Sequence, residues 1–489
     1  MNLDLLPLLH KYDKALPRYT SYPTVPYWNF DTLSLEHWKQ ELQRAFLAEQ
    51  GEMCLYVHLP FCESLCTYCA CNKRITCNHG VEAPYIDAVL QEWALYRELL
   101  PSEPLLREIH LGGGTPTFFS PESLQRLLQG LMADAQIPDE HTFSVEVHPN
   151  YTSDAHLQTL RALGFNRLSL GVQDFDPAVQ YIINREQSVE QTRHVMEQGR
   201  QLGYESINID LIYGLPRQTL QSVEGTIAEL ETLRPDRIAF YSYAHVPWKS
   251  KGQRRYTDED VPKAAEKLAM YHLGNHLLSQ MGYESIGMDH FALPGDTLLQ
   301  AYRQGRLHRN FMGYTTTNHK LVLGLGASSI SDTWHAFAQN EKEVEAYQQR
   351  IAEGELPLIN GHALSPRDMR LRQHILNLMC TDATVLEPDL FSGERLSSLF
   401  ASLDDFQADG LLTREGYRLR VLPAGKLFIR NICSVLDDYL QPGSASTGAG
   451  TGSGALQSTS QSSDQSAAQN AQENTPQKTQ DAPTFSRSI

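Results

Sequence analysis

Between residues 54 and 245 the chain alternates short apolar, β-branched runs with amphipathic helical stripes, six times in succession. The strand candidates are 54–59 (CLYVHL), 107–111 (REIHL), 143–147 (FSVEV), 167–172 (RLSLGV), 206–213 (SINIDLIY) and 237–243 (RIAFYSY). Helices between them announce their starts. Ser120-Pro121 reads as an N-cap with proline at the first helical position, and Leu124, Leu127, Leu128 and Leu131 follow at helical spacing. Val223, Ile227 and Leu230 repeat the stripe after Thr219. Six such units in a row predict a parallel sheet with helices outside it, either barrel-like or doubly wound. In both architectures function gathers at the C-terminal ends of the strands.

Those ends carry the chemistry in this chain. Going along the strands, they bring His58 and the cysteines, then Gly112-Gly113-Gly114-Thr115-Pro116, Glu146, Gln173, Asp210 and Tyr243-Ala244-His245. One shared site at that rim is the economical reading. A net charge of −17 argues against nucleic acid, which is bound through Lys and Arg. No apolar run is long enough to predict a membrane span. The N-terminus has neither the basic start nor the cleavage site of a secretory signal, so the cytoplasm is expected.

Six of the eight cysteines lie between Cys54 and Cys77, a clustering that points to metal rather than to a disulfide framework. Cys62, Cys66 and Cys69 have C-x₃-C-x₂-C spacing, and Cys71 follows two residues on. Structural zinc sites pair two knuckles across a longer loop and close with four ligands. Ligands crowded into one loop suit an iron–sulfur cluster better. Three thiolates leave one iron open for a cofactor or substrate; a closed electron-transfer cluster using Cys71 or Cys77 as fourth ligand is the alternative.

A C-x₃-C-x₂-C loop after the first strand of a βα series, followed one unit later by Gly112-Gly113-Gly114-Thr115-Pro116, resembles the radical S-adenosylmethionine superfamily. The resemblance implies a [4Fe–4S] cluster on the three cysteines, with the methionine amino and carboxylate groups on the fourth iron. An electron from the cluster then cleaves the sulfonium to a 5′-deoxyadenosyl radical. Further motifs are similar to the oxygen-independent coproporphyrinogen III oxidase family. They are residues 17–24 (PRYTSYPT), 69–73 (CACNK), 208–216 (NIDLIYGLP), 287–291 (GMDHF), 308–311 (HRNF), 313–316 (GYTT) and 429–433 (IRNIC). The likeness runs from about residue 10 to 440.

That family resemblance implies oxidative decarboxylation of two propionates of coproporphyrinogen III to vinyl groups, giving protoporphyrinogen IX. It implies two bound S-adenosylmethionine molecules, a reductase or flavodoxin-like electron donor, and a monomer. Carried over by motif, the cofactor contacts are Tyr56, Tyr68, Gly113, Gly114, Thr115, Glu146, Gln173, Arg185, Asp210, Ala244 and Ile330. Glu146 and Asp210 suit ribose hydroxyls, Tyr68 an adenine face, and Arg185 a bidentate fork on the methionine carboxylate. Cys71 is a candidate for a role beside the substrate or second cofactor.

The implied fold is α/β: a six-unit parallel partial (β/α) barrel with an N-terminal segment and a C-terminal mainly helical domain. Its expected divisions are an N-terminal segment covering the site (1–49), a catalytic domain (50–356), a helical domain with a small β-wing at 417–421 (357–440) and a disordered polar tail (441–489). Two departures from the family pattern stand out. Leu321, after Thr317-Asn318-His319-Lys320, replaces an acidic residue and puts the shape around Ile330 in question, and Ala70 stands where glycine is common. A haem-trafficking relative without decarboxylase activity, or a haem-opening methyltransferase, is disfavoured by Cys71 and by residues 17–24.

Overall fold

The structure is a computed structural model that describes residues 6–441 and Phe485. The tail assigned to disorder, 441–489, lies outside the described residues apart from Gln441 and Phe485. All six expected strands form: β1 (Glu52–Leu59), β2 (Leu105–Gly113), β3 (Thr142–Val147), β4 (Arg167–Gln173), β5 (Ser206–Tyr213) and β6 (Arg237–Ser242). They lie side by side in sequence order and pair in parallel. Six further strands extend the sheet: β7 (Glu284–Ile286), β8 (His290–Ala292), β9 (Val322–Leu325), β10 (Ile330–Asp332), β11 (Ala336–Asn340) and β12 (Leu358–Ala363). The order across the sheet is β12-β11-β10-β9-β1-β2-β3-β4-β5-β6-β8-β7, an open, curved sheet rather than a closed barrel.

β9 pairs in parallel with β1, Cys54 opposite Val322, so a seventh parallel strand joins the six. Its Val322-Leu-Gly-Leu-Gly326 run is too short and too rich in glycine to stand out as a strand in the sequence.

Alternation along each strand sorts the two faces. Phe143, Val145 and Val147, Leu168, Leu170 and Val172, and Ile207, Ile209 and Leu211 are all buried under the outer helices. Ser144 and Glu146, Ser169 and Gly171, and Asn208 and Asp210 line the inner cavities. The inner face is therefore polar along its length, not only at the rim. Outside, helix Pro121–Met132 starts at Ser120, whose hydroxyl accepts from the Ser123 amide 3.2 Å away. Its four leucines are fully buried, each contributing roughly 1.5–3 kcal/mol of burial energy.

After the sheet come helices Pro366–Thr381 and Gly393–Ala408, with a three-stranded antiparallel sheet of residues 383–385, 418–421 and 412–415. A division at 357 falls just ahead of β12, which pairs with β11 and belongs to the large sheet; the helical module begins after it, at Pro366. The alternating apolar pattern at 358–363 is brief and interrupted by Asn360-Gly361, which hides its strand character. Leu8, Leu9, Tyr12, Tyr19 and Tyr22 of the N-terminal segment share one core with Leu371, Ile375, Leu403 and Phe428 of this module.

Candidate active site

The glycine loop after β2 is tied directly to the start of the cysteine loop. The Gly114 amide donates to the Leu59 carbonyl (2.8 Å) and the Thr115 amide to the Phe61 carbonyl (2.9 Å). A Cβ on Gly113 (φ +112°) would lie 2.6 Å from the His58 ring, and one on Gly114 would lie 2.7 Å from the backbone of Pro60 and Phe61. Only glycine lets the two loops close this tightly.

The cysteine loop is also held from behind. Thr67 donates through its amide to the Ile183 carbonyl (2.9 Å) and through its hydroxyl to that of Ile182 (3.0 Å), and the Asn184 side chain donates to the Leu65 carbonyl (2.9 Å). Gln253 donates to the Tyr68 carbonyl (2.9 Å) and Ser250 to the Cys69 carbonyl (3.0 Å). Lys73 reaches back to the Cys69 carbonyl at 3.0 Å.

Cys62, Cys66 and Cys69 are free thiols around one cavity of about 250 Å³, whose other walls include Tyr68, Gly113, Gly114, Thr115, Glu146, Gln173, Arg185 and Asp210. Most of the expected cofactor contacts thus meet in one place. Thr115 Oγ1 lies 3.4 Å from Cys62 Sγ and Arg185 Nη1 lies 3.5 Å from Cys66 Sγ, donors suited to sulfur that carries negative charge. Burial raises the Cys62 thiol to about 11, whereas hydrogen bonding with Cys71, helped by Lys73 and Arg185, lowers that of Cys69. Among the described residues no three ligand side chains gather at a point suited to a single ion. Three thiols spread around a cavity fit a polynuclear cluster better than a zinc ion.

A second chamber of about 290 Å³ adjoins the first and shares Cys71, Gly113 and Glu146 with it. Tyr56, His58, Asn310, Phe311, Met312 and Ile330 line it. His58 Nε2 faces the Asn72 carbonyl at 2.9 Å, and burial keeps the ring neutral by lowering its pKa. Nε2 therefore carries the proton, so Nδ1 accepts from the Tyr56 hydroxyl at 3.0 Å. The Tyr56 oxygen is left as an acceptor towards the chamber.

Glu146 lines both chambers and a third, lower one of about 170 Å³ that is walled by Glu108, His110, Arg167, Asn208 and Asp210. Burial would raise its pKa, but His110 and the Gly113 amide, donating at 3.2 Å, hold it below the ordinary value. Asp210 behaves oppositely: burial and the nearby Glu146 push it up to about 6, against hydrogen bonds from Asn208 (2.8 Å) and Ser169 (3.3 Å).

Three expectations need adjusting. Arg185 does not present a free fork, because its Nε and Nη2 both bond the Gly171 carbonyl and only Nη1 turns to Cys66. Ala244 lines none of these chambers; its carbonyl accepts from Gln253 at 3.2 Å. The unusual Thr317–Leu321 stretch does not disturb Ile330. Thr315 and Thr317 bond Glu108, His319 faces Glu49 and Glu52, and the Leu321 carbonyl accepts from the Cys54 amide (3.0 Å), all at the start of β1 and away from the rim. His110 and Met312 are site residues that the sequence did not single out, while His58 stood out only as a strand-end residue and Phe311 only within the 308–311 motif, neither with a role. The available signal for the histidines was period-two spacing from Tyr56 and Gly112; Phe311 and Met312 form the turn of a short antiparallel hairpin of residues 308–310 and 313–315.

Residues 56–230 match the Radical SAM superfamily. Oxygen-independent coproporphyrinogen III oxidase from Pseudomonas aeruginosa is 39% identical over 445 residues, covering 88% of this chain and 95% of that one. The enzyme of the same name from Escherichia coli is 39% identical over 446 residues, covering 89% and 95%. The solved structure of coproporphyrinogen III oxidase from Escherichia coli, a radical SAM enzyme, superposes with a TM-score of 0.83 at 37% identity, covering 90% of this chain and all of that one. With its open sheet, its cysteine loop and this full-length likeness, the chain belongs to the oxygen-independent coproporphyrinogen III oxidase family of the radical SAM superfamily.

Proposed function

We propose that the chain converts coproporphyrinogen III to protoporphyrinogen IX without oxygen, turning two propionates into vinyl groups with loss of CO₂, as a step of haem biosynthesis in the cytoplasm. The observation that carries this is the single cavity in which three thiols of one loop face Gly113, Gly114, Glu146, Gln173 and Asp210. When bound there, a [4Fe–4S] cluster and S-adenosylmethionine supply the radical that takes hydrogen from the propionate side chain.

The chain's own residues hold and shield. Cys62, Cys66 and Cys69 would ligate the cluster. The open backbone at Gly113 and Gly114 would admit the methionine end, which side chains would block. Glu146 and Asp210 would accept from ribose hydroxyls, and Arg185 would meet ligand or sulfur through its remaining Nη1 edge. A second S-adenosylmethionine suits the adjoining chamber between Tyr56, Cys71 and Ile330. We further propose that residues 1–49 cover the cavity mouth, that a reductase or flavodoxin-like protein supplies electrons, and that the chain acts as a monomer.

The test is an anaerobic assay of reconstituted protein with reductant, S-adenosylmethionine and coproporphyrinogen III. Protoporphyrinogen and CO₂ should appear together with 5′-deoxyadenosine. Deoxyadenosine without CO₂ would overturn the substrate assignment. Cys62→Ala should lose the cluster's visible absorption and turnover together; a retained cluster would refute the ligand set.

A further inference from the structure

Segment 247–257 forms the outer brace of the cysteine loop, through Ser250 and Gln253, and its composition is unlike that of the rest of the molecule. It carries Lys249, Lys251, Arg254 and Arg255 and no acidic residue, in a chain whose net charge is −17. All four cations are exposed, and none pairs with a carboxylate among the described residues. Arg254 donates only to the Pro247 carbonyl (3.1 Å), and Arg255 lies over the Tyr181 ring at 5.3 Å. Of the three acids that follow, Asp258 faces His245 (3.4 Å) and Asp260 faces Arg217 (3.9 Å), leaving Glu259 exposed at the end of the segment.

Large apolar groups are exposed on the same rim. Trp248 is 55% exposed and Tyr181 60%, and Leu65, between two of the cluster cysteines, is 37% exposed. Asn184 on the Tyr181 helix bonds the Leu65 carbonyl, so these groups and the basic segment border one loop. Aromatic groups beside unpaired cations are the composition of a protein-docking surface. Its charge selects an acidic partner.

We propose that this face is where a small acidic electron-carrier protein docks and passes one electron through the loop 62–69. The inference rests on the radical SAM reading above, since that chemistry consumes an electron the chain cannot itself provide. One electron leaves the carrier and enters the cluster; no atom is transferred. Leu65, exposed between Cys62 and Cys66, would set a partner on this face against the cysteine loop itself. Elsewhere the chain's net charge of −17 disfavours an acidic partner.

The probe is an acidic flavodoxin added to the cluster-loaded protein. Its affinity is measured by calorimetry across a salt series, and cluster reduction is followed by electron paramagnetic resonance. Wild type should bind more weakly as salt rises. Lys249→Glu/Lys251→Glu should lower affinity several-fold, and the fourfold reversal that adds Arg254→Glu and Arg255→Glu at least tenfold, with little remaining salt dependence. Reduction by photoreduced deazaflavin, a small uncharged reductant, should be unchanged, and so should the deoxyadenosine it yields. Equal flavodoxin affinity in wild type and both variants would overturn the proposal. Equal loss with deazaflavin would also overturn it, because the cations would then be supports of the cysteine loop. None of these readouts involves the porphyrinogen, so they stand or fall separately from the substrate assignment.

Discussion

Asp210 sits where a small change of pH alters what the site offers. Its carboxyl is held up at about 6 by burial and by Glu146, so it is ionised at pH 7.5 and largely protonated at pH 5.5. Only the ionised form accepts hydrogen bonds with both oxygens and favours a cationic sulfonium ligand. S-adenosylmethionine affinity should therefore fall several-fold between pH 7.5 and 5.5, and Asp210→Asn should flatten that dependence while weakening binding at pH 7.5. Titration by calorimetry checks both. An unchanged slope in the variant would mean that another group controls the pH response. Asp210, Glu146 and Gln173 were legible in the sequence because parallel strands bring their C-terminal ends to one rim. His110 was not, since a lone histidine in a strand reads as an ordinary core residue until its partners are known, and His58 showed its place at a strand end but not its role as acceptor for Tyr56. The commitment of Arg185 to the Gly171 carbonyl was equally hidden, because it depends on the bulge that gives Gln173 its positive φ of +72°.

Among the elements, helix Glu82–Leu99 does more than cover the sheet. Its Glu92, fully buried, accepts from the Gly326 amide (2.8 Å), the Tyr347 hydroxyl (2.6 Å) and Asn340 (2.6 Å), fixing the turn that leads from β9 into Ile330. Burial pushes this carboxyl up to about 7 despite those donors. Between its unfolded value near 4.5 and about 7 the native state holds the extra proton, so stability from this group is full below 4.5 and declines as pH rises to 7. From pH 5.5 to 8 the loss should be about 2 kcal/mol. Chemical denaturation at both pH values should show the wild type losing about 2 kcal/mol more than Glu92→Gln over that range. The same element explains why the sheet was half readable: β1 to β6 advertise themselves by apolar alternation, while β9 to β12 owe their existence to partners such as this helix and the register of β1.

For the molecule as a whole, the helical module is fastened to the sheet by a shared apolar core and by buried pairs, of which Arg372–Asp332 is the tighter beside His362–Asp368 (3.9 Å). Arg372 on helix Pro366–Thr381 bonds both oxygens of Asp332 at the end of β10, and its guanidinium lies over the rings of Trp334 (4.2 Å) and Phe337 (4.8 Å). Asp332 also lines the second chamber, so the module's fastening and the site share a residue. Arg372→Met leaves that carboxylate buried and unpaired, at a cost of about 3–5 kcal/mol. Its thermal midpoint should fall accordingly, and Asp332→Leu combined with Arg372→Met should recover most of the loss. Failure of the double variant to recover would place the stabilisation in the aromatic stacking instead.

The open sheet has one more consequence. A sheet that does not close keeps two edges, each a template on which another copy of the chain could add a strand. On one side β7 is only three residues long and carries Glu284 paired to Arg303 (2.5 Å). On the other, β12 is six residues long, and the N-terminal segment lies along it. The Ala363 amide donates to Thr32 (3.1 Å), the Asn29 amide to His362 (3.2 Å), and Leu33 packs where a Gly361 side chain would be. Residues 29–33 thus act as a guard against aggregation, and a chain shortened past them would lose solubility before its chemistry could be assayed.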